Sequence, residues 1–323
     1  MHSFKELIAQ FNQHFDHQKF PEKPTRLYSS ANHILEMGGK RIRPVLCLMG
    51  NELFNELHPD AFQVGTAIEL FHNFTLLHDD IMDKAPLRRG KPTAHTIYGE
   101  SAAILAGDVM LINVYEYLNK VNAGYKQKII NVFNKAAIEV CEGQQLDMDF
   151  ETQDPEVVKY DDYVEMIALK TSVLLAASLQ LGAIIGGAGE GNQQHIYAFG
   201  KNVGIAFQIQ DDYLDAFGDP DKFGKQKGGD ILVNKKTFLL LKALELCSPA
   251  ARKELKTLLE TSPEDKVDRV LDIFTSCKVD KWAEKEKERF TQLAFGNLDE
   301  IAVLSNRKEG LKELANFLLE RQQ

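Results

Sequence analysis

Apolar residues recur at three- and four-residue steps along most of the chain, and almost nowhere do they alternate. The runs AFQVGTAIELFHNFTLLHDDIMD (61–83), ESAAILAGDVMLINVYEYLNKV (100–121) and YKQKIINVFNKAAIEVCEGQQLDMDF (125–150) each predict a long helix. Several of these are apolar around much of their circumference, which places them inside a multi-helix core. No convincing alternating strand appears, and no Asn-Gly or Asp-Gly turn joins two β-branched runs. Breaks are few. KAPLRRGKPT (84–93) and GDPDKFGKQKGGDILVN (218–234) carry the Pro, Gly and Asp of loops. CSPAARKEL and TSPEDKVDRV place Ser-Pro where a helix N-cap and first turn belong. No linker or low-complexity tract divides the chain, so the pattern predicts one all-α domain over residues 1–323.

Composition narrows the picture. At 323 residues and 44% hydrophobic, with a mean hydropathy of −0.27, the chain can bury a large core and remain soluble. A formal charge of −9 argues against a nucleic-acid partner. Cys47, Cys141, Cys247 and Cys277 lie far apart without metal-finger spacing, which reads as reduced thiols in a cytoplasmic protein. The N-terminus lacks the basic-then-apolar pattern of a signal peptide. The most apolar run, SVLLAASLQLGAIIGGAG (172–189), is interrupted by Ser178, Gln180 and glycines; it predicts a buried central helix and no membrane span.

Charge then appears where the pattern asks for apolar residues. LLHDDIMD sets Asp79, Asp80 and Asp83 inside an apolar run, and QIQDDYLD repeats the spacing 132 positions later at Asp211, Asp212 and Asp215. On a helix, His72, Asp79 and Asp83 fall within a stripe about 40° wide, with Asp80 about 100° away. Aligned carboxylates repel, and would resist ionising together without a cation. A lone cluster reads as a solvated helix end; two with one spacing ask for a shared counter-charge. Oxygen donors without Cys or His arrays suit a hard cation such as Mg²⁺, which leaves positions open for substrate phosphates. The basic residues fit such a ligand. GGKRIRP puts Lys40 and Arg43 at a glycine-led helix start; Arg88 and Arg89 follow the first cluster. Lys225 and Lys235 follow the second, and Lys170-Thr171 interrupts the apolar MIALKTSVLLAAS, a costly place for an unpaired lysine.

From GGKRIRP through NKKT (234–237) the chain resembles the trans-isoprenyl diphosphate synthase (polyprenyl synthetase) family. LLHDDIMDKAPLRRGKPTAH is similar to its first aspartate-rich motif and FQIQDDYLDAFGD to its second. The resemblance implies a bundle of roughly ten or more helices around a central hydrophobic cavity, three Mg²⁺ ions, and a homodimer. It implies a head-to-tail 1'-4 condensation of isopentenyl diphosphate with an allylic diphosphate. By the same resemblance Asp79, Asp83 and Asp211 bind metal directly, with Asp80, Asp212 and Asp215 completing the two clusters. Arg88, Lys170 and Lys225 hold the allylic diphosphate, assisted by Thr171, Gln208 and Lys235. Lys40, Arg43, His72 and Arg89 hold the isopentenyl diphosphate.

Product length follows, in this family, from the residues four and five before the first motif. Here these are Thr75 and Phe74, with Phe71 a turn earlier. One bulky Phe74 beside a small Thr75 suggests a pocket deep enough for geranylgeranyl diphosphate (C20), with farnesyl diphosphate (C15) the alternative; an i,i+3 core pair accounts for Phe71 and Phe74 equally simply. A class I terpene cyclase is the nearest rival, but QIQDDYLD together with GGKRIRP argues against it. A non-catalytic subunit of a heteromeric synthase would be expected to have lost aspartates. No heptad or apolar stripe identifies a dimer interface in the sequence.

Overall fold

The computed structural model describes residues 1–16, 19–218 and 227–319. Among the described residues fifteen helices make the protein all-α, as the periodicity predicts. Contacts divide the chain into two compact units: Met1–Phe133, Ser178–Gln193 and Val303–Gly310 form one, and Asn134–Ala177, Gln194–Ala302 and Leu311–Gln323 the other.

In the first unit the helices are α1 (Phe4–Phe15), α2 (Thr25–Glu36), α3 (Ile42–Phe54), α4 (Pro59–Met82), α5 (Ala94–Tyr98), α6 (Glu100–Leu118) and the start of α7 (Ala123–Thr152). Helix α1 begins with a reciprocal cap between Ser3 and Glu6, and α4 with Pro59 at its first turn, where the missing N–H costs nothing. Leu7 and Phe11 of α1, Val45 and Leu48 of α3, Val64, Ile68 and Phe71 of α4, and Met110 and Val114 of α6 are all buried. Glycines set the closest approach: a Cβ on Gly182 would lie 1.9 Å from the Cys47 carbonyl oxygen of α3.

The second unit carries the rest of α7, most of α8 (Tyr160–Ile185), α9 (Glu190–Phe217), and the shorter α10 (Gly229–Leu232), α11 (Phe238–Leu246), α12 (Pro249–Thr261) and α13 (Lys266–Ser276). Most of α14 and α15, Val279–Asp299 and Ser305–Leu319, complete it. Its core gathers Tyr163, Ile209, Phe238, Leu255, Phe274 and Phe290. The predicted central helix is α8. Ser248 caps α12 as its Ser-Pro predicts, accepting from Ala251 N at 3.3 Å. Ser262 does not repeat this. It ends α12 in a left-handed conformation, its hydroxyl meets Lys266 Nζ at 3.3 Å, and α13 starts after Asp265.

Three further expectations change. KAPLRRGKPT contains a small hairpin: β1 (Leu87–Arg88) pairs antiparallel with β2 (Lys91–Pro92) around Arg89-Gly90. Both turn residues have positive φ, 54° and 75°, the combination that matches strand twist. Cys247 and Cys277 form a disulfide, so the expectation of four reduced thiols fails for this pair. Helix α6 also exposes an apolar stripe that periodicity alone left hidden: Leu105, Ile112 and Tyr115 are 55%, 63% and 37% exposed. By length and composition two helices could cross a membrane, but α8 is 78% buried, which is the pattern of a core helix, and α6 is 39% buried.

Candidate active site

The first aspartate cluster occupies the C-terminal end of α4, with Asp83 as its C-cap. A helix C-terminus already carries partial negative charge from its unpaired carbonyls, so added carboxylates there are disfavoured until a cation arrives. Asp80 has its cation within the chain. It is 1% exposed, and Arg88 grips it with Nε 2.9 Å from both carboxylate oxygens and a second nitrogen at 2.8 Å. The hairpin separates the two arginines, because Arg88 ends the strand while Arg89 turns away in a left-handed conformation. Arg88 turns to Asp80, while the Arg89 guanidinium lies against Gly39, where a Cβ would be 3.2 Å away. That contact gives the second glycine of GGKRIRP a reason.

Arg89 thereby joins a cavity of about 390 Å³ lined by Lys40, Arg41, Arg43, Glu69, His72 and itself. Burial first, then the charges of Arg43, Arg89, Arg88 and Arg41, hold His72 well below its ordinary pKa, so the ring is neutral. An Arg43 nitrogen 3.3 Å from His72 Nε2 can only donate, which makes Nε2 the acceptor and leaves the proton on Nδ1. Burial also lowers Arg43 and Arg89, and Arg43 Nε is buried without a hydrogen-bond partner. Cations pushed toward neutrality, with an orphaned donor among them, are what an anion would relieve. Two residues outside the sequence reading frame this cavity. Arg41 and Glu69 form a buried ion pair, and Asn73 Nδ2 donates to the Glu69 carboxylate at 3.2 Å.

The second cluster lies at the C-terminal end of α9, repeating the unfavourable dipole. Asp212 is 3% exposed and accepts hydrogen bonds from the Tyr163 hydroxyl and, at 3.1 Å, from Gln208 Nε2. Burial raises its pKa to about 6 against the pull of Lys235 and these two donors. Burial lowers Lys235, but Asp212, Asp230 and Asp147 outweigh it and leave the ammonium above its ordinary value. Asp215 fastens the chain that follows: its carboxylate accepts from Asp230 N at 2.9 Å and its carbonyl from Gly228 N at 2.7 Å. Lys170 and Thr171 sit on a π-turn in α8, with Lys170 Nζ 2.5 Å from Asp147. Lys225 lies outside the described residues.

The polyprenyl synthetase family model matches residues 24–275. A short-chain isoprenyl diphosphate synthase of Methanothermobacter thermautotrophicus is 38% identical over 303 residues, covering 93% of this chain and 91% of the relative. A geranylgeranyl pyrophosphate synthase of Geoglobus acetivorans is 38% identical over 304 residues, covering 93% and 92%. Among solved structures, a geranylgeranyl pyrophosphate synthase superimposes with a TM-score of 0.92 at 42% identity over both whole chains.

The chain belongs to the polyprenyl synthetase family. It is a prenyltransferase.

Within this polyprenyl synthetase the residues upstream of the first motif are tightly braced. Phe71 is 1% exposed and packs against Phe133 at 5.3 Å, so it buttresses the half-buried Phe74 (5.6 Å) and reaches no open space. On the other side Phe74 meets His78 at 4.7 Å, and a Cβ on Gly107 would come within 2.4 Å of that His78 ring. Thr75 returns its hydroxyl to the His72 carbonyl at 2.8 Å.

Among the described residues no three His, Cys, Asp or Glu side chains form a ready-made metal cage. A polyprenyl synthetase with carboxylates alone at its two motifs still fits Mg²⁺, which takes one or two carboxylates and fills its remaining positions with water and phosphate.

Proposed function

We propose that this protein is a geranylgeranyl diphosphate synthase. It condenses isopentenyl diphosphate head to tail with an allylic diphosphate. The observation that carries the reading is the pairing of two identically spaced aspartate clusters at helix C-termini with a buried cationic cavity. The clusters require cations and the cavity an anion. Residues 1–323 act as one synthase domain.

Asp79, Asp83 and Asp211 would hold Mg²⁺, which when bound supplies positive charge to the departing diphosphate. Arg88, Lys170 and Lys225 would hold the allylic diphosphate, assisted by Thr171, Gln208 and Lys235. Lys40, Arg43, Arg89 and the Nδ1–H of His72 grip the isopentenyl diphosphate and align its double bond. The allylic C–O bond breaks with its electron pair going to the diphosphate. The isopentenyl double bond attacks the cation, and the proton lost goes to the released diphosphate, so no protein base is needed. Fixed donors aimed at developing charge are the largest source of rate in such sites. Phe74, held between Phe71 and His78, forms the floor that stops growth at C20.

The test is direct: labelled isopentenyl diphosphate, Mg²⁺ and dimethylallyl, geranyl or farnesyl diphosphate, with products sized after dephosphorylation. A C20 product is expected; a C15 or C25 end point overturns the length, and no extended product overturns the synthase. Phe74→Ala should lengthen the products. We further propose a cytoplasmic homodimer closed through the α6 stripe of Leu105, Ile112 and Tyr115, whose exposure on one helix suits a second apolar copy. Ile112→Glu should convert a dimer to a monomer in light scattering, and an unchanged mass would remove α6 from the interface.

A further inference from the structure

Lys170 lies where α8 loosens into the π-turn Ala168–Ser172. Such turns are rare within helices and concentrate at functional sites, and each has to be held by its surroundings. Two glycines hold this one. A Cβ on Gly143 of α7 would come 2.1 Å from the Lys170 backbone nitrogen and 2.6 Å from the Leu169 carbonyl carbon. A Cβ on Gly204 of α9 would come 2.7 Å from Ser172 Oγ. The π-turn is therefore gripped from both sides at points where only a hydrogen atom fits.

One turn along α7 from Gly143, Asp147 Oδ2 meets Lys170 Nζ at 2.5 Å. Residues 143 and 147 are i,i+4 on one helix face, so the same face that seats the Lys170 main chain also captures its head. Both side chains are about one quarter exposed, at 27% and 23%, so the pair is neither freely solvated nor closed off. The Asp147 charge also reaches Lys235 and Tyr163, which ties it electrostatically to the second aspartate cluster.

We propose that Asp147, seated by Gly143, is the positioning residue of Lys170. An ammonium has three donors. One goes to Asp147 and fixes a four-carbon stem that would otherwise sample many rotamers, and two remain for the oxygens of the allylic diphosphate. The lysine is thus aimed before substrate arrives, and its ordering is not charged against binding or the chemical step.

The inference rests on the proposed reaction, so the wild-type chain is assayed beside Asp147→Asn, Asp147→Glu and Lys170→Met. Asp147→Asn should lower kcat/KM for the allylic diphosphate about tenfold to a hundredfold, the range for a charged hydrogen bond, with the isopentenyl KM unchanged. Asp147→Glu should recover most of the loss. In the Lys170→Met background Asp147→Asn should cost nothing more, because its target is gone. Binding of inorganic diphosphate with Mg²⁺, followed by calorimetry, should weaken in Asp147→Asn and not weaken further in the double variant. Gly143→Ala, if helical by circular dichroism, should reproduce the allylic defect by displacing the π-turn. Full activity of Asp147→Asn, or an equal loss with Lys170 removed, overturns the role while the reaction stands. No extended product from the wild type refutes the reaction and this role with it.

Discussion

The two aspartate clusters share a spacing and a place at the end of a long helix, yet they neutralise their middle carboxylate in different ways. Asp80 is answered by a full charge, the Arg88 guanidinium delivered by a hairpin eight residues later. Asp212 touches only neutral donors, Tyr163 and Gln208, and the charge that favours its ionised form, Lys235, acts without a direct contact to it. In each Asp-Asp pair, then, the second member is buried and held by side chains of the fold. The difference is that one anchor is an ion pair and the other a carboxyl group lifted toward neutrality. Measurements on each motif can break or sharpen that contrast.

The largest effects belong to the residues the two motifs share. Asp79→Asn and Asp211→Asn should each lower kcat about 10²–10³-fold, roughly 2.7–4 kcal/mol of transition-state stabilisation, with little change in melting temperature. Asn keeps the size and most of the polar contacts of Asp, so the loss falls on turnover more than on the fold. Steady-state kinetics across a Mg²⁺ titration checks this, and near-normal turnover in either variant would end the idea of equivalent metal carboxylates.

The anchors should show the reverse, and unequally. Asp80→Asn keeps the shape but leaves Arg88 charged beside a buried amide. Breaking a buried pair from one side costs about 3–5 kcal/mol, and Arg88, 24% exposed, regains some water, so about 3 kcal/mol is expected. Asp212→Asn leaves no charge stranded at contact distance and, at pH 4 where the raised pKa keeps Asp212 protonated, should cost nearer 1 kcal/mol. Urea unfolding of both variants decides it. Equal losses would mean that the difference between an ionic and a neutral anchor does not matter here.

How much of this was legible in the sequence divides along the same line. Helix periods, both aspartate motifs and the basic residues beside them are local patterns, and they placed α4, α6, α7 and the clusters. The partners of those residues are not local. Asp147 lies 23 positions from Lys170, Glu69 lies 28 from Arg41, and Tyr163 lies 49 from Asp212. Nothing in the chain near Asp147 marks it, since its signal is a packing fact: Gly143 lets α7 touch the π-turn. The disulfide has the same origin, since Cys247 meets Cys277 thirty residues on through the packing of their helix ends. Ser262 is a local miss: it serves as the left-handed C-cap of α12, and its hydroxyl accepts from Lys266 Nζ four residues on. The Arg89-Gly90 turn is another. Its strands are too short to alternate, and Arg in a left-handed conformation is not a residue that advertises a turn.

The smallest effect tests the neutral anchor itself. An unfolded aspartate titrates near 3.9, and the folded Asp212 near about 6. Between those values the native state binds more protons than the unfolded chain, so stability falls as pH rises and levels off above the folded pKa. Two units correspond to about 2–3 kcal/mol lost between roughly pH 4 and 6. Tyr163 and Lys235, both raised above their ordinary values, each hold one charge state through this window. Denaturant unfolding in EDTA at pH 4, 5, 6 and 7 should show this decline in the wild type, and Asp212→Asn should remove it. A decline that survives in Asp212→Asn would assign the proton elsewhere. In that case Asp212 would be ionised across this window, and the contrast between the clusters would reduce to their partners.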